Sequence, residues 1–438
     1  MRVLLLAEAC NPEWVSVPLV GWSHCRAIAS LADAHVVTQI RNRDAILRAG
    51  LREGVDFTAI DSEAIEGRVY RLATKLRGGA GMGWTTMAAL SALSYPYYEH
   101  LVWKRFGRRI RAGEFDVVHR ITPLTPTATS LLASKCREAG VPFVLGPLNG
   151  GVPWPKHFDF ARRREREWLS YVRNAYKLLP GYRATRRDSS AILIGSRVTW
   201  HQVPSCYHRK CIYVPENAID PARFTERRTH RASRPLRAVF VGRLVPLKGV
   251  DMLIEAALPL LRNGALTIDI LGDGPQMADL KELVRREGVE SSVRLPGWIE
   301  HSQLSERLVG ADILTFPSIR EFGGGVALEA MAVGVVPIVL DSGGPAELVT
   351  ERTGWLVPIG SRAEIVARLR ALLIDLTNDP SPIDIKSPAA LARARTQFTW
   401  EAKARQVLEV YRWVLDPTRP KPNFGMPIPD LQMDGHGD

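Results

Sequence analysis

At 438 residues the chain exceeds what one compact core holds and suffices for two α/β domains of ordinary size. With 46% hydrophobic and 24% charged residues its composition is that of a soluble globular protein, which excludes a disordered or fibrous one. The net charge of +12 is concentrated in residues 1–195, where 28 Lys+Arg face 17 Asp+Glu, against 30 and 29 in the remainder. A field of that sign favours an anionic partner: a phosphate-bearing acceptor, an anionic membrane face or a nucleic acid.

In chain order, Met1-Arg2-Val3-Leu4-Leu5-Leu6 runs into Glu8 after a short apolar stretch. That predicts a first buried strand and is too short for a signal peptide, so a cytoplasmic location is expected. The longest apolar run, Met87–Tyr98, is broken by Ser91, Ser94 and Pro96, so no span of the roughly 20 residues that cross a bilayer is expected. Strands are expected at Val3–Ala7, His35–Gln39, Phe115–His119, Pro142–Gly146 and Ala191–Gly195. Helical stretches such as Thr127–Ala139 separate them, the pattern of a parallel sheet with covering helices. Cys10, Cys25, Cys136, Cys206 and Cys211 are odd in number and lack CxxC spacing, which argues against a disulfide framework or a zinc site. The Gly-rich loop Arg77–Trp84 is expected to be mobile. From Arg162 to Arg187, cations interleave with Trp168, Leu169, Tyr171 and Tyr176. This reads either as a solvated helix with one buried face or as a surface for anionic lipid.

The polar, Arg-rich stretch Asp220–Pro235 is the expected linker. Beyond it strands are expected at Leu236–Val241, Leu266–Leu271, Val293–Leu295, Ile313–Phe316 and Val336–Leu340. The helices between them are Gly249–Arg262, Pro275–Glu287, Gln303–Val309 and Gly325–Ala332. Phe398–Leu415 has the apolar spacing of one long amphipathic helix, and Pro417–Asp438 is a proline-rich, mobile tail. The expected units are 1–219, 220–397, a C-terminal helix at 398–416 crossing back to the first unit, and the tail 417–438.

Chemistry concentrates where strands end and helices begin, the ligand-binding edge of an α/β sheet. After Ile313–Phe316 come Glu321, then Gly323-Gly324-Gly325, then a helix carrying Glu329. Glycines there admit a ligand close to the backbone, and the new helix offers unpaired N–H groups and a positive dipole end. In Phe240-Val-Gly242-Arg243-Leu-Val-Pro-Leu-Lys248-Gly249, two cations precede a helix and could clamp a pyrophosphate. Leu271-Gly272-Asp273-Gly274-Pro275 is a sharp strand-to-helix turn in the same layer.

Glu321 through Glu329 resembles the E-x7-E motif of retaining family 4 glycosyltransferases with the GT-B fold. Val241–Gly249, Leu271–Pro275, Leu295-Pro-Gly-Trp298 and Phe398-Thr-Trp-Glu401 are similar to other landmarks of that family, densely so from Leu236 to Pro358. The resemblance implies an α/β protein with two Rossmann-like doubly wound parallel-sheet domains facing a central cleft. It further implies transfer of a hexose from a sugar nucleotide, with retention of configuration, to a polysaccharide or lipid-linked acceptor. Arg243 and Lys248 would contact the donor diphosphate, Glu329 the ribose and Glu321 the hexose. Gly242, Gly272, Leu295, Gly324, Gly325 and Val326 would complete the donor site. The sugar nucleotide is then a substrate, with no cofactor and no metal required.

The first half departs from the family. Asp116-Val-Val-His119 and Pro142–Gly151 resemble two acceptor-domain strands, but the family's His after the second is absent, leaving Leu148-Asn149-Gly150-Gly151. Asn149 can hydrogen-bond but cannot act as a base at neutral pH. Asn11-Pro-Glu13-Trp14 replaces the usual Gly-Gly loop. Asn149 and His119 are therefore candidate catalytic residues beside Glu321, and Glu13, His24, Gly150 and Gly151 are candidates on the acceptor side. Peripheral contact with an anionic membrane would suit a lipid-linked acceptor. Specific nucleic-acid binding is not expected without a zinc or RNA-recognition signature. Alternatives are an epimerase, or a sugar-nucleotide-binding protein of the same fold that lacks transfer activity.

Overall fold

The computed structural model describes residues 1–64, 84–155, 158, 175–179 and 181–425, with no side chains described for 84–93 and 175–176. The Gly-rich loop up to residue 83, the heart of the basic stretch (159–174) and the tail from 426 onward lie outside the described residues.

Two parallel sheets organise the chain. The first has the order β3-β2-β1-β4-β5-β6-β7, with β1 Arg2–Ala7, β2 Asp33–Gln39, β3 Phe57–Ile60, β4 Val117–Thr122, β5 Phe143–Leu148, β6 Ala191–Ile194 and β7 Cys211–Tyr213. The second has the order β10-β9-β8-β11-β12-β13, with β8 Leu236–Val241, β9 Leu266–Leu271, β10 Val293–Gly297, β11 Ile313–Phe316, β12 Val336–Leu340 and β13 Trp355–Val357. Both start at a central strand, wind outward and then reverse, so each has a switch point where ligands bind. The central strands are apolar without alternation because helices cover both faces: Val3 to Ala7 are fully buried.

Four strands of the second sheet have the expected bounds: β8, β9, β11 and β12. The first sheet differs more. β4 begins two residues later than expected and continues to Thr122, so His119 lies inside a strand and not at its end. Expected helix Thr127–Ala139 shortens to Leu132–Glu138. The edge strands β3, β7 and β13 are short and only partly buried, so they present no continuous apolar run, and the sequence reading passes over them.

Asp220–Pro235 is anchored, not a free linker. Arg228 is buried against Asp312 and Asp384, and His230 Nε2 lies 2.8 Å from Asp312. The chain returns at its end: Ile219 N–H donates to Phe398 O at 2.7 Å, and helix Trp400–Leu415 packs on helix Val17–Ala29 of the first sheet's layer. Val407, Val410 and Tyr411 are fully buried there. Among the described residues no helix is long and apolar enough to cross a membrane. All five cysteines are free, and four are buried.

Candidate functional site

The donor-side candidates gather at the C-terminal ends of β8, β9 and β11. After β8, Gly242 turns the chain toward Arg243, and a short turn Pro246–Lys248 ends at Gly249, whose φ of 67° opens helix Val250–Arg262. Lys248 forms an ion pair with Glu321, which follows β11, and its ammonium lies 4.8 Å from the Phe316 ring. Helix Gly325–Ala332 starts from Gly324 at φ 69°, with no side-chain cap and no acidic residue in its first turn. Its leading N–H groups and positive dipole end are left for a ligand. Glu329 Oε1 is 2.8 Å from His301 Nε2, and Arg223 donates to the other ring nitrogen of His301. At Gly272 an added Cβ would collide with the Gly242 carbonyl, so the ends of β9 and β8 abut only because glycine occupies that position.

Gly242, Arg243, Lys248, Gly272, Glu321, Gly324, Gly325, Val326 and Glu329 line one cavity of about 2550 Å³ that opens between the two sheets. Asn149, Gly150 and Gly151 line its opposite wall. The four charged side chains, drawn from segments some 80 residues apart, thus share one cleft.

Four sequence candidates, Leu295, Glu13, His119 and His24, are not part of its lining. Leu295 lies within β10, partly buried against the second sheet's core, and Trp298 and Ile299 just beyond that strand reach the cleft in its place. Glu13 turns to Arg48, which donates to both its oxygens at 2.7 and 2.8 Å, while Pro12 and Trp14 face the cavity. His119 is fully buried: Nδ1 lies 2.5 Å from Tyr411 Oη and Nε2 lies 2.6 Å from Gly146 O. The carbonyl can only accept, so Nε2–H donates to it and Nδ1 accepts from the phenol. Burial pushes His119 down to about 4, and it is a core residue that cannot reach the cleft, neither a catalytic group nor an acceptor contact. His24 is likewise buried, pushed down to about 3 by desolvation and then by His119 and Lys403.

Asn149 reaches the cleft with its amide fully engaged. Nδ2 donates to Glu216 Oε1 at 2.7 Å and to Phe322 O at 3.0 Å, while Oδ1 accepts from Gly150 N at 2.8 Å and Ser196 Oγ at 3.0 Å. Such an amide organises the wall and has no capacity left for the reacting atoms.

Sequence reasoning missed Glu216, Asn217, Trp154, Arg320 and His301, all of which line the cavity. Arg320 donates to Val152 O at 3.0 Å and lies over the rings of Trp154 and Phe322, at 5.2 and 5.3 Å, so it hooks the two walls together. Glu216 and Asn217 follow the overlooked β7. The available signal was the turn-like Pro215-Glu216-Asn217 after a short β-branched run.

With this geometry in hand, comparison with known proteins is decisive. The model of the glycosyl transferases group 1 family matches residues 223–384, which hold Arg243, Lys248, Glu321 and Glu329. A GDP-mannose-dependent monoacylated alpha-(1-6)-phosphatidylinositol monomannoside mannosyltransferase of Corynebacterium glutamicum is 30% identical over 297 residues, 64% of this chain and 73% of that one. The chain belongs to the glycosyl transferases group 1 family. The glycogen synthase of Mycobacterium tuberculosis is 34% identical over 203 residues, 46% of this chain and 48% of that protein. The chain thus spans about half the length of such curated relatives. Among solved structures, Anabaena HepE in complex with UDP superposes with a TM-score of 0.59 at 17% identity, covering 94% of this chain and 100% of that one. At that identity the likeness shows the fold: this group 1 member is a GT-B protein.

Proposed function

We propose that this group 1 member transfers a hexose from a sugar nucleotide to a saccharide or lipid-linked acceptor, with retention of configuration. The observation that carries the reading is the shared cleft. Arg243, Lys248 and the uncapped helix start at Gly324–Val326 face the same space as Glu321 and Glu329.

In this account the diphosphate lies against the helix start, with Arg243 and Lys248 beside it. Glu329, steadied by His301, holds the ribose, and Glu321, oriented by Lys248, holds hexose hydroxyls. As the bond from the anomeric carbon to the phosphate oxygen breaks, negative charge grows on the departing diphosphate. Fixed cations and oriented N–H groups stabilise that charge more than they stabilise the bound donor, which lowers the barrier. The acceptor hydroxyl forms the new bond to the anomeric carbon, and its proton leaves with the diphosphate. Stabilisation of the leaving group then comes from the protein, and no metal is required. The acceptor lies against Asn149–Gly151 and the apolar mouth at Trp14 and Val15, whose side chains are exposed. An apolar mouth beside Arg26 and Arg41 suits an amphiphilic acceptor and peripheral contact with an anionic membrane on the cytoplasmic side.

Incubation with a panel of sugar nucleotides and acceptors, reading nucleoside diphosphate release with and without EDTA, tests this. Release should depend on acceptor and survive chelation. Lys248→Ala and Glu321→Ala should each lower turnover about a hundredfold while leaving the melting temperature within a few degrees. Unchanged rates in both variants would contradict the site. Product formation without any acceptor would point to an epimerase.

A further inference from the structure

Glu216 lies on the crossover between the sheets, three residues beyond β7, and is 4% exposed. Oε1 accepts from Asn149 Nδ2 at 2.7 Å and from Asn217 Nδ2 at 3.2 Å. Oε2 is buried without a hydrogen-bond partner. The carboxyl occupies a seam between two glycines, one from each sheet. A Cβ at Gly195, just after β6, would come within 2.6 Å of Oε2, and a Cβ at Gly323, in the loop after β11, would collide with Oε1 and with Asn217. Asn149, held by Glu216, in turn donates to Phe322 O of that same loop. One carboxyl therefore touches the acceptor wall directly and the donor wall through Asn149, at the floor of the cleft.

We propose that Glu216 is a positioning residue that holds the Asn149–Gly151 loop and the Phe322–Gly325 loop in register across the cleft. It rests on the transferase reading only for the naming of the two walls. A buried carboxylate accepting two amide N–H groups holds them more strongly when ionised than when neutral. The groups that bear on its ionisation are Lys403 from helix Trp400–Leu415, Glu347 from helix Gly343–Leu348 and Tyr213 from β7. Arg197 pairs with Glu347, and Arg393 acts on Lys403. Desolvation pushes Glu216 up to about 7, against the pull of its own backbone N–H, Asn149 and Lys403. Burial pushes Lys403 down to about 7. The hold on both loops should therefore tighten as pH rises through neutrality.

Hydrogen–deuterium exchange on the full chain tests this without any donor. Peptides covering Asn149–Gly151 and Phe322–Gly325 would be followed at about pH 5.5 and about pH 8.5, corrected for intrinsic exchange, with β8 as the internal control. In the wild type both loops should gain protection together at the higher pH. E216Q, isosteric with the protonated acid, should abolish that gain in both loops while β8 stays protected. E216D keeps the charge but falls short of Asn149, and should speed exchange in both loops about tenfold, the worth of one hydrogen bond. Should E216D also loosen β8, the E216Q pH profile alone decides. Loops that respond separately, or an E216Q profile matching the wild type, would overturn the proposal. Absence of transferase activity would not bear on it, so the two readings fail separately.

Discussion

Ser16 holds φ 66° and ψ −138°, a backbone region that an L-residue occupies at a cost and glycine does not. It stands where the family's Gly-Gly loop is missing, between exposed Trp14 and Val15 and helix Val17–Ala29. Ser16→Gly should relieve that strain and raise stability by about 1 kcal/mol, read as a higher denaturant midpoint. A lower midpoint would mean that the loop is not strained. The opposite sign applies at Gly324, where φ is 69° and a Cβ would press on Pro345. Gly324→Ala should weaken nucleotide binding by displacing the helix start, and should also lower the melting temperature. At the same scale, Glu321, Glu329, Arg243 and Lys248 were legible because each is fixed by a motif at a strand end. His119 was not: its sequence neighbours give no hint that β4 runs on to Thr122 or that Tyr411, almost 300 residues away, seals it in.

Helix Val17–Ala29, strand β4 and helix Trp400–Leu415 meet over two buried imidazoles, His24 and His119, whose rings are 6.3 Å apart. Both titrate below the ordinary 6.5, at about 3 and about 4. The unfolded chain therefore binds protons that the native state refuses. The stability they permit is fully present above about pH 6.5 and is lost as pH falls toward those folded values. Thermal melts should show Tm falling below about pH 6.5, with a shallower fall in His24→Leu. An identical slope in that variant would remove His24 as a cause. His119→Ala should lower Tm through its lost bonds to Tyr411 and Gly146 while leaving nucleotide affinity unchanged. Elements were readable in proportion to their burial pattern. The largely buried apolar strands β8, β9, β11 and β12 announced themselves, whereas the short, part-exposed edge strands β3, β7 and β13 did not, and Glu216 was passed over with β7.

Across the whole molecule, the return helix, the hook of Arg320 on Val152 and the bond from Asn149 to Phe322 O tie the two sheets into one cleft. The resemblance read from motifs correctly implied that architecture. It could not specify the first sheet's wall of the cleft, because that wall is built from contacts between segments far apart in sequence. The central claim is that two cations and a helix start grip a diphosphate. Calorimetry of UDP and GDP against uridine and guanosine, on the wild type and on the Arg243→Ala/Lys248→Ala double variant, tests it most directly. At least one diphosphate should bind the wild type far more tightly than its nucleoside, and the double variant should lose about a hundredfold of that affinity while still binding the nucleoside. Equal affinities for nucleoside and diphosphate, or a double variant that binds the diphosphate as the wild type does, would contradict the account.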